Sequence, residues 1–138
     1  MKKLKINSVF ILVLSMIICL GLLTGCAQGL SSDFDEAEVK SAAQEVITMI
    51  NENDTEGLRE MSTAQMKSAF TDDVLNQIYE AIAEAGAFEQ VEDMKVAGVT
   101  ENDTEYAVVV AKAKYEKRSF TYTISFDKDM KLAGFYYK

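Results

Sequence analysis

The sequence predicts an α+β domain in which three N-terminal helices pack on a four-stranded antiparallel sheet. The main observation is a change in the spacing of apolar residues at Gly86. Before Gly86 they recur every three or four positions, the period of an amphipathic helix, and after it they follow the period of two that is typical of strands. The connections are short throughout, so we expect the helices to cover the apolar face of the sheet.

The first helix is predicted from an apolar face with spacings of four, three and four residues. Asp33 followed by Glu36 has the pattern of a helix N-cap with an acidic partner three positions later, and the helix is expected to end near Asn53. The residues of its buried face are Val39, Ala43, Val46 and Ile50.

Two further helices are predicted before Gly86. The second is short, begins at Thr55, and is followed by one or two more turns at 66–70. Thr71 is the predicted cap of the third helix, and Gly86 supplies its left-handed stop. The apolar residues are Leu58 and Met61 in the second helix and Leu75, Ile78, Ile82 and Ala85 in the third.

Four strands are predicted after Gly86, over residues 88–99, 106–115, 119–126 and 132–137. The third strand alternates most clearly, with aromatic or aliphatic residues on a buried face and serine or threonine on a wet face. Its apolar members are Phe120, Tyr122, Ile124 and Phe126. Turn residues join it to the last strand, which indicates an antiparallel hairpin.

The chain begins with the pattern of an export signal. Three lysines within the first five residues precede an apolar run from Val9 to Leu23. Thr24 and Gly25 are small residues that give a peptidase access to the backbone, and the thiol of Cys26 can be alkylated with a diacylglyceryl group. The motif resembles the lipobox of bacterial lipoproteins, which implies cleavage before Cys26. The alternative is an uncleaved membrane anchor, and both interpretations put the rest of the chain outside the cytoplasm.

This interpretation divides the chain into a signal peptide (1–25), a lipidated cysteine with a short flexible linker (26–32) and one α+β domain (33–138). Removing residues 1–25 leaves 11 basic against 22 acidic residues, a net charge of −11. Nucleic acid is therefore not expected as a partner, and anionic lipid headgroups would repel the domain. We expect the acyl chains on the cysteine to hold the domain on the outer face of the cytoplasmic membrane.

The composition excludes several kinds of chemistry. The chain has no histidine, and its two cysteines, Cys19 and Cys26, belong to the leader and the anchor, so we expect no disulfide, no zinc site and no histidine- or cysteine-based catalysis. Asp127 and Asp129 have the spacing of a calcium loop, but Met130 and Lys131 follow where further ligands are needed, which indicates a hairpin turn. No metal, cofactor or catalytic residue is predicted.

The helix order, the step Gly86-Ala87-Phe88 and a closing strand at 131–135, Lys-Leu-Ala-Gly-Phe, resemble a family of small exported bacterial domains of unknown function. Members occur in lipoproteins and ahead of other exported domains such as α/β-hydrolases. The resemblance covers Glu38 to Tyr137. It implies a nuclear transport factor 2-like, cystatin-like fold and a Gram-positive envelope, and it supplies no catalytic residues.

Folds of this kind often enclose a cone-shaped cavity between the helices and a curved sheet. Tyr79, Tyr115 and Tyr122 are the candidate residues to line it, and ordinary core packing is the alternative. The sequence thus favours a non-catalytic, lipid-anchored domain that contacts a protein or envelope component through its sheet or its cavity. One face of the last strand, near residues 135–137, is expected to stay open to such a partner. The alternatives are a small-ligand carrier that uses the cavity and an enzyme that works through carboxylates.

Overall fold

The computed structural model describes residues 29–138, and the signal and lipidation motif at 23–26 lies outside this range. Four helices precede four strands within the described residues. The helices are α1 (Glu36–Glu52), α2 (Thr55–Met61), α3 (Ala64–Ala69) and α4 (Asp72–Ala83), and the strands are β1 (Phe88–Glu101), β2 (Thr104–Tyr115), β3 (Ser119–Phe126) and β4 (Leu132–Tyr137). The α+β architecture is confirmed, with the change from helix to strand at Gly86.

The prediction of three helices is wrong, because the short second helix is two helices separated at Ser62 and Thr63. Ser62 bridges to Leu132 at the start of β4, and the Thr63 N–H donates to the Leu132 carbonyl at 2.9 Å. The Thr63 hydroxyl then caps α3 by accepting from the Met66 N–H at 3.2 Å. A contact with a strand 70 residues later therefore interrupts the helical pattern.

The predicted first cap is also wrong by two residues. Asp35, rather than Asp33, accepts from the Glu38 N–H at 3.0 Å and starts α1. Phe34 and Val39 are both buried, in the positions of a hydrophobic staple around the cap. This burial fixes how the chain enters the helix and leaves Asp33 on the surface.

The remaining helix boundaries follow the sequence pattern. Asn53 ends α1 in a left-handed conformation with φ 56°, and Thr71 caps α4 through the Val74 N–H. Gly86 has φ +85° after α4, as its predicted role as a stop requires. The helix ends are therefore set by local side-chain chemistry.

The sheet is an antiparallel meander in the order β1-β2-β3-β4. One face lies under the helices, and alternate residues of β2 and β3 are buried there: Ala107, Val109, Ala111, Ala113, Tyr115, Phe120, Tyr122, Ile124 and Phe126. The apolar face of α1 packs on them, with its valines, isoleucines and alanine almost completely inaccessible. Side chains thus fill the space between α1 and the sheet. No helix between residues 29 and 138 is long and apolar enough to cross a membrane.

The segment before α1 packs against the end of the sheet near the β1–β2 turn. Gly98 lets it approach, since a Cβ at Gly98 would lie 2.7 Å from the Gly29 carbonyl oxygen. The Ser31 hydroxyl donates to Glu105 at 3.1 Å, and Lys128 pairs with that carboxylate at 3.1 Å and with Asp33 at 2.8 Å. Residues 30 and 31, which were expected to belong to a flexible linker, are therefore held on the domain.

Candidate functional site

A pocket of about 230 Å³ opens at the end of the domain where α1 and α4 finish and β1 begins. It is smaller than the roughly 300–1,000 Å³ typical of small-molecule sites. The residues that line it are Ile50, Asn51, Asn53, Tyr79, Ile82, Ala83, Gly86, Ala87, Phe88 and Tyr115. The lining is therefore aliphatic and aromatic, with two amides and without a charged side chain.

A tight turn forms one wall of the pocket. Gly86 adopts φ +85°, and a Cβ there would meet the Glu116 Cβ at 2.9 Å. The Glu116 carboxylate accepts from the Ala87 N–H at 2.9 Å. This turn holds the beginning of β1 against the connection between β2 and β3. Phe88, the first residue of β1, follows the turn and lines the pocket.

A chain of three polar side chains runs from the pocket into the core. The Tyr115 hydroxyl donates to Asn51 Oδ1 at 2.7 Å, and the Tyr122 hydroxyl lies 2.7 Å from that of Tyr115. A phenol has one proton and Tyr115 gives its proton to Asn51, so Tyr122 is the donor to Tyr115. Asn51 Nδ2 is buried and has no hydrogen-bond partner within residues 29–138. The chain therefore begins at the pocket with an unsatisfied donor.

Burial changes the acidity of these phenols. It raises the pKa of Tyr122 far above the ordinary value of 10.0, and the neighbouring Tyr115 raises that pKa further through its hydrogen bond and charge. Burial also raises the pKa of Tyr115. Both groups are therefore neutral hydrogen-bonding phenols at physiological pH and offer no accessible base.

Tyr79 lines the pocket from α4. Its hydroxyl pairs with Thr55 Oγ1 at 3.0 Å, at the first turn of α2, and its side chain is otherwise buried. Since only one hydroxyl of the pair donates across this bond, the other keeps a proton to give. This pair ties α4 to α2 beside the pocket.

The structure brings together two of the three tyrosines predicted to line a cavity. Tyr79 and Tyr115 are at the pocket, whereas Tyr122 does not line it, because its ring fills the core behind Tyr115. The pocket where these two tyrosines meet lies at one end of the domain, and alternate residues of β2 and β3 pack under α1. Sequence reasoning missed Asn51. The sequence signal that could have identified Asn51 is its spacing from Ala43 and Ile47, at steps of four residues. This spacing puts an amide in line with the buried face of α1.

The turn at Asp127 and two carboxylates of β1 have structural roles. Asp127 Oδ1 accepts from the N–H groups of Asp129 and Lys131 at 3.0 and 2.9 Å, which makes this segment the hairpin turn that was predicted. Glu89 and Glu92 pair with Lys114 and Lys112 across β1 and β2, each at 3.2 Å. Within residues 29–138, no three histidine, cysteine, aspartate or glutamate side chains group closely enough to hold a metal ion.

These features define a small helix-on-sheet α+β domain with a neutral pocket at one end. The family model DUF3887, described as a protein of unknown function, matches residues 43–135, and the chain belongs to this family. An NMR structure of a protein from Ruminococcus gnavus ATCC 29149 is similar, with a TM-score of 0.71 and 24% sequence identity. The match covers 79% of this chain and 96% of that one, and at this identity it shows a shared fold. None of the curated proteins matches the chain.

Proposed function

We propose that this protein is an extracytoplasmic lipoprotein domain that binds a protein or envelope component without catalysis. A diacylglyceryl group on Cys26 holds it on the outer face of the cytoplasmic membrane of a Gram-positive cell. The basic and apolar leader that ends in Leu23, Thr24 and Gly25 supports this location. The helices followed by a bulged antiparallel meander support a nuclear transport factor 2-like, cystatin-like fold.

The observation that carries the proposal is that the N-terminal segment and the pocket lie at opposite ends of β1. The segment packs against Gly98, and the pocket lies at Phe88. Ten residues of strand at about 3.3 Å each separate these positions by about 30 Å. An anchor at Cys26 is three residues before Gly29, so it can lie at most about 10 Å away from that residue. The tether would therefore present the pocket away from the bilayer, towards a partner.

A small-ligand carrier is the second candidate, and the pocket with its unsatisfied Asn51 amide favours it. The two functions are compatible, because a pocket at the membrane-distal end can take a free molecule or one end group of a larger partner. The carboxylate-enzyme alternative needs an acidic side chain directed into the cavity. The lining of this pocket gives that alternative no support.

The anchor is tested by intact mass of the protein extracted from membranes. We expect a chain that starts at Cys26 and carries a diacylglyceryl group, and we expect Cys26→Ser to remain unprocessed. Cys19→Ser is the matched control, because it removes the other thiol of the leader and should leave processing unchanged. An unmodified chain that starts at Met1 would contradict the anchor.

The binding function is tested by a photo-crosslinking amino acid placed at Phe88 in intact cells. Phe88 is 37% exposed at the pocket, and Val110, 42% exposed on β2, is the matched control position. We expect a discrete adduct from position 88 and none, or only weak labelling, from position 110. Equal labelling from both positions, or none from position 88, would count against a partner at the pocket end.

A further inference from the structure

We infer that the pocket binds a small neutral molecule, or a neutral end group, that brings a hydrogen-bond acceptor on an apolar body. This inference deepens the proposed binding function and rests on it, but it is independent of the lipid anchor. Carbonyl compounds such as amides are the ligand class that fits.

Asn51 supplies the donor. Its Oδ1 accepts from Tyr115, while its Nδ2 is buried without a partner among the described residues. Buried donors in folded proteins are almost always satisfied, by protein groups or by bound molecules. Asn51 lines the pocket, but its Nδ2 is closed to solvent, so binding requires a small rotation of this side chain that brings Nδ2 to an acceptor atom in the pocket.

The walls fit an apolar body. Ile50, Ile82 and Ala83 form an aliphatic side, and Tyr79, Tyr115 and Phe88 contribute rings. The Phe88 and Tyr115 rings meet edge to face, with centroids 5.5 Å apart. Phe88 is also one of the two large apolar side chains that remain exposed within the described residues. An aromatic or aliphatic group in the pocket would bury that ring, which favours binding.

The charge of the site selects a neutral acceptor. The chain has a net charge of −8, and the Glu116 carboxylate lies behind the Gly86 wall of the pocket. An anionic acceptor would meet this negative field without a cation in the lining to pair with it. An ammonium group would be attracted to the field but has no lone pair to accept from Asn51. A carbonyl oxygen on an uncharged molecule meets both conditions.

The size of the pocket limits the occupant to about one ring and one polar group, so benzamide is a suitable probe. Thiobenzamide has nearly the same shape but a much weaker acceptor, and benzoate has nearly the same shape with a negative charge. These three probes separate the need for an acceptor from the need for neutrality. None of them has to be the natural ligand.

The experiment is a titration of the ¹⁵N-labelled full protein, extracted from membranes into lipid nanodiscs, followed by two-dimensional NMR. The side-chain NH₂ of Asn51 gives its own signals, and we expect benzamide to shift them. We expect thiobenzamide and benzoate to bind at least tenfold more weakly. Asn51→Asp should abolish the preference for benzamide over thiobenzamide, because it removes the donor and keeps the acceptor for Tyr115.

Asn76→Asp is the matched control, since Asn76 is exposed on α4 away from the lining. It adds the same charge and should leave the affinity within about twofold. If Asn51→Asp fails to fold, Phe88→Ala tests the same site through its wall, and we expect at least fivefold weaker benzamide binding with the Asn51 shift retained at saturation.

Failure of benzamide to shift the Asn51 signals would overturn the inference, as would benzoate binding as tightly as benzamide. Equal losses in Asn51→Asp and Asn76→Asp would overturn it too. These outcomes are distinct from failure of the proposed function, because a crosslinked partner at position 88 can persist when no carbonyl probe binds. If benzamide binds but no crosslink forms at position 88, the inference of a ligand site stands and the proposed partner at the pocket end is contradicted.

Discussion

Removing the middle hydroxyl of the chain Tyr122–Tyr115–Asn51 is expected to cost more stability than removing the terminal one. Tyr122→Phe loses one buried hydrogen bond, worth about 1 kcal/mol. Tyr115→Phe loses two bonds and leaves the Tyr122 hydroxyl, which has no exposure to solvent, without an acceptor. Since an orphaned buried polar group costs about 1–3 kcal/mol, we expect Tyr115→Phe to cost about 2–4 kcal/mol.

The double variant separates the cost of the unsatisfied Tyr122 hydroxyl from the cost of the lost hydrogen bonds. In Tyr115→Phe with Tyr122→Phe, no buried hydroxyl is left behind, so the combined loss should be smaller than the sum of the single losses by about 1 kcal/mol or more. The measurement is urea denaturation of the four proteins followed by circular dichroism, with the slope m compared across them. Phenylalanine keeps the ring contacts of the core, such as that between the rings of residue 122 and Phe135, whose centroids lie 5.7 Å apart.

Tyr136→Phe serves as the control, because Tyr136 is only partly buried and lies outside this chain of hydroxyls. We expect a change of less than about 0.5 kcal/mol. The reasoning would be refuted if Tyr122→Phe cost as much as Tyr115→Phe. Additive losses in the double variant would also refute it, because they would mean that the Tyr122 hydroxyl is not stranded by the loss of its acceptor.

Three further predictions concern the helices and the phenols. Asp35→Ala is expected to lower the free energy of unfolding by about 1 kcal/mol, because the cap of α1 is lost. Asp33→Ala is expected to lower it by less, because this change breaks only an exposed ion pair. Thermal denaturation of the two variants measures the difference. Arg59→Ala should lower the free energy of unfolding by about 1–2 kcal/mol, because two hydrogen bonds from the guanidinium to the Phe70 carbonyl are lost. Asp72→Ala removes only the ion pair with Arg59, and the Asp72 side chain is 82% exposed, so it should cost at most about 1 kcal/mol in the same assay. Stability should fall as the pH rises above 10, because the unfolded chain releases the Tyr122 proton near its ordinary pKa of 10.0 while burial raises that pKa in the folded protein. Denaturation at several alkaline pH values should show a shallower fall in Tyr122→Phe, and an unchanged fall would contradict the burial of this hydroxyl.

Local patterns were sufficient to predict most of the secondary structure. The step from period 3.6 to period two at Gly86 located the change from helices to strands, and the alternation of β3 identified its buried face. The segment Glu-Asn-Asp-Thr-Glu occurs twice, at 52–56 and 101–105, and local turn chemistry accounts for both copies. Its first copy ends α1 and caps α2, and its second joins β1 to β2. These features depend on residues close in sequence, which is why they can be predicted.

The errors come from contacts between distant residues. The break at Ser62 depends on Leu132, and the cap at Asp35 depends on the burial of Phe34 in the core. A single sequence contains no direct signal for such pairs, so a periodic pattern predicts burial but not the neighbour.

The pocket itself depends on two irregularities in β1. Most residue pairs of β1 and β2 keep one register, in which Val96 lies opposite Val109. If this register continued to the end of the ladder, Gln90 would lie opposite Tyr115. Register shifts between 88 and 90 and between 91 and 93 each insert one residue, so that Phe88 takes that place. One shift alone would bring Glu89 opposite Tyr115 and turn a carboxylate towards the pocket, because directly opposed residues share a face. Both bulges are therefore needed to give the site its aromatic and neutral character, and this character selects the proposed carbonyl ligand.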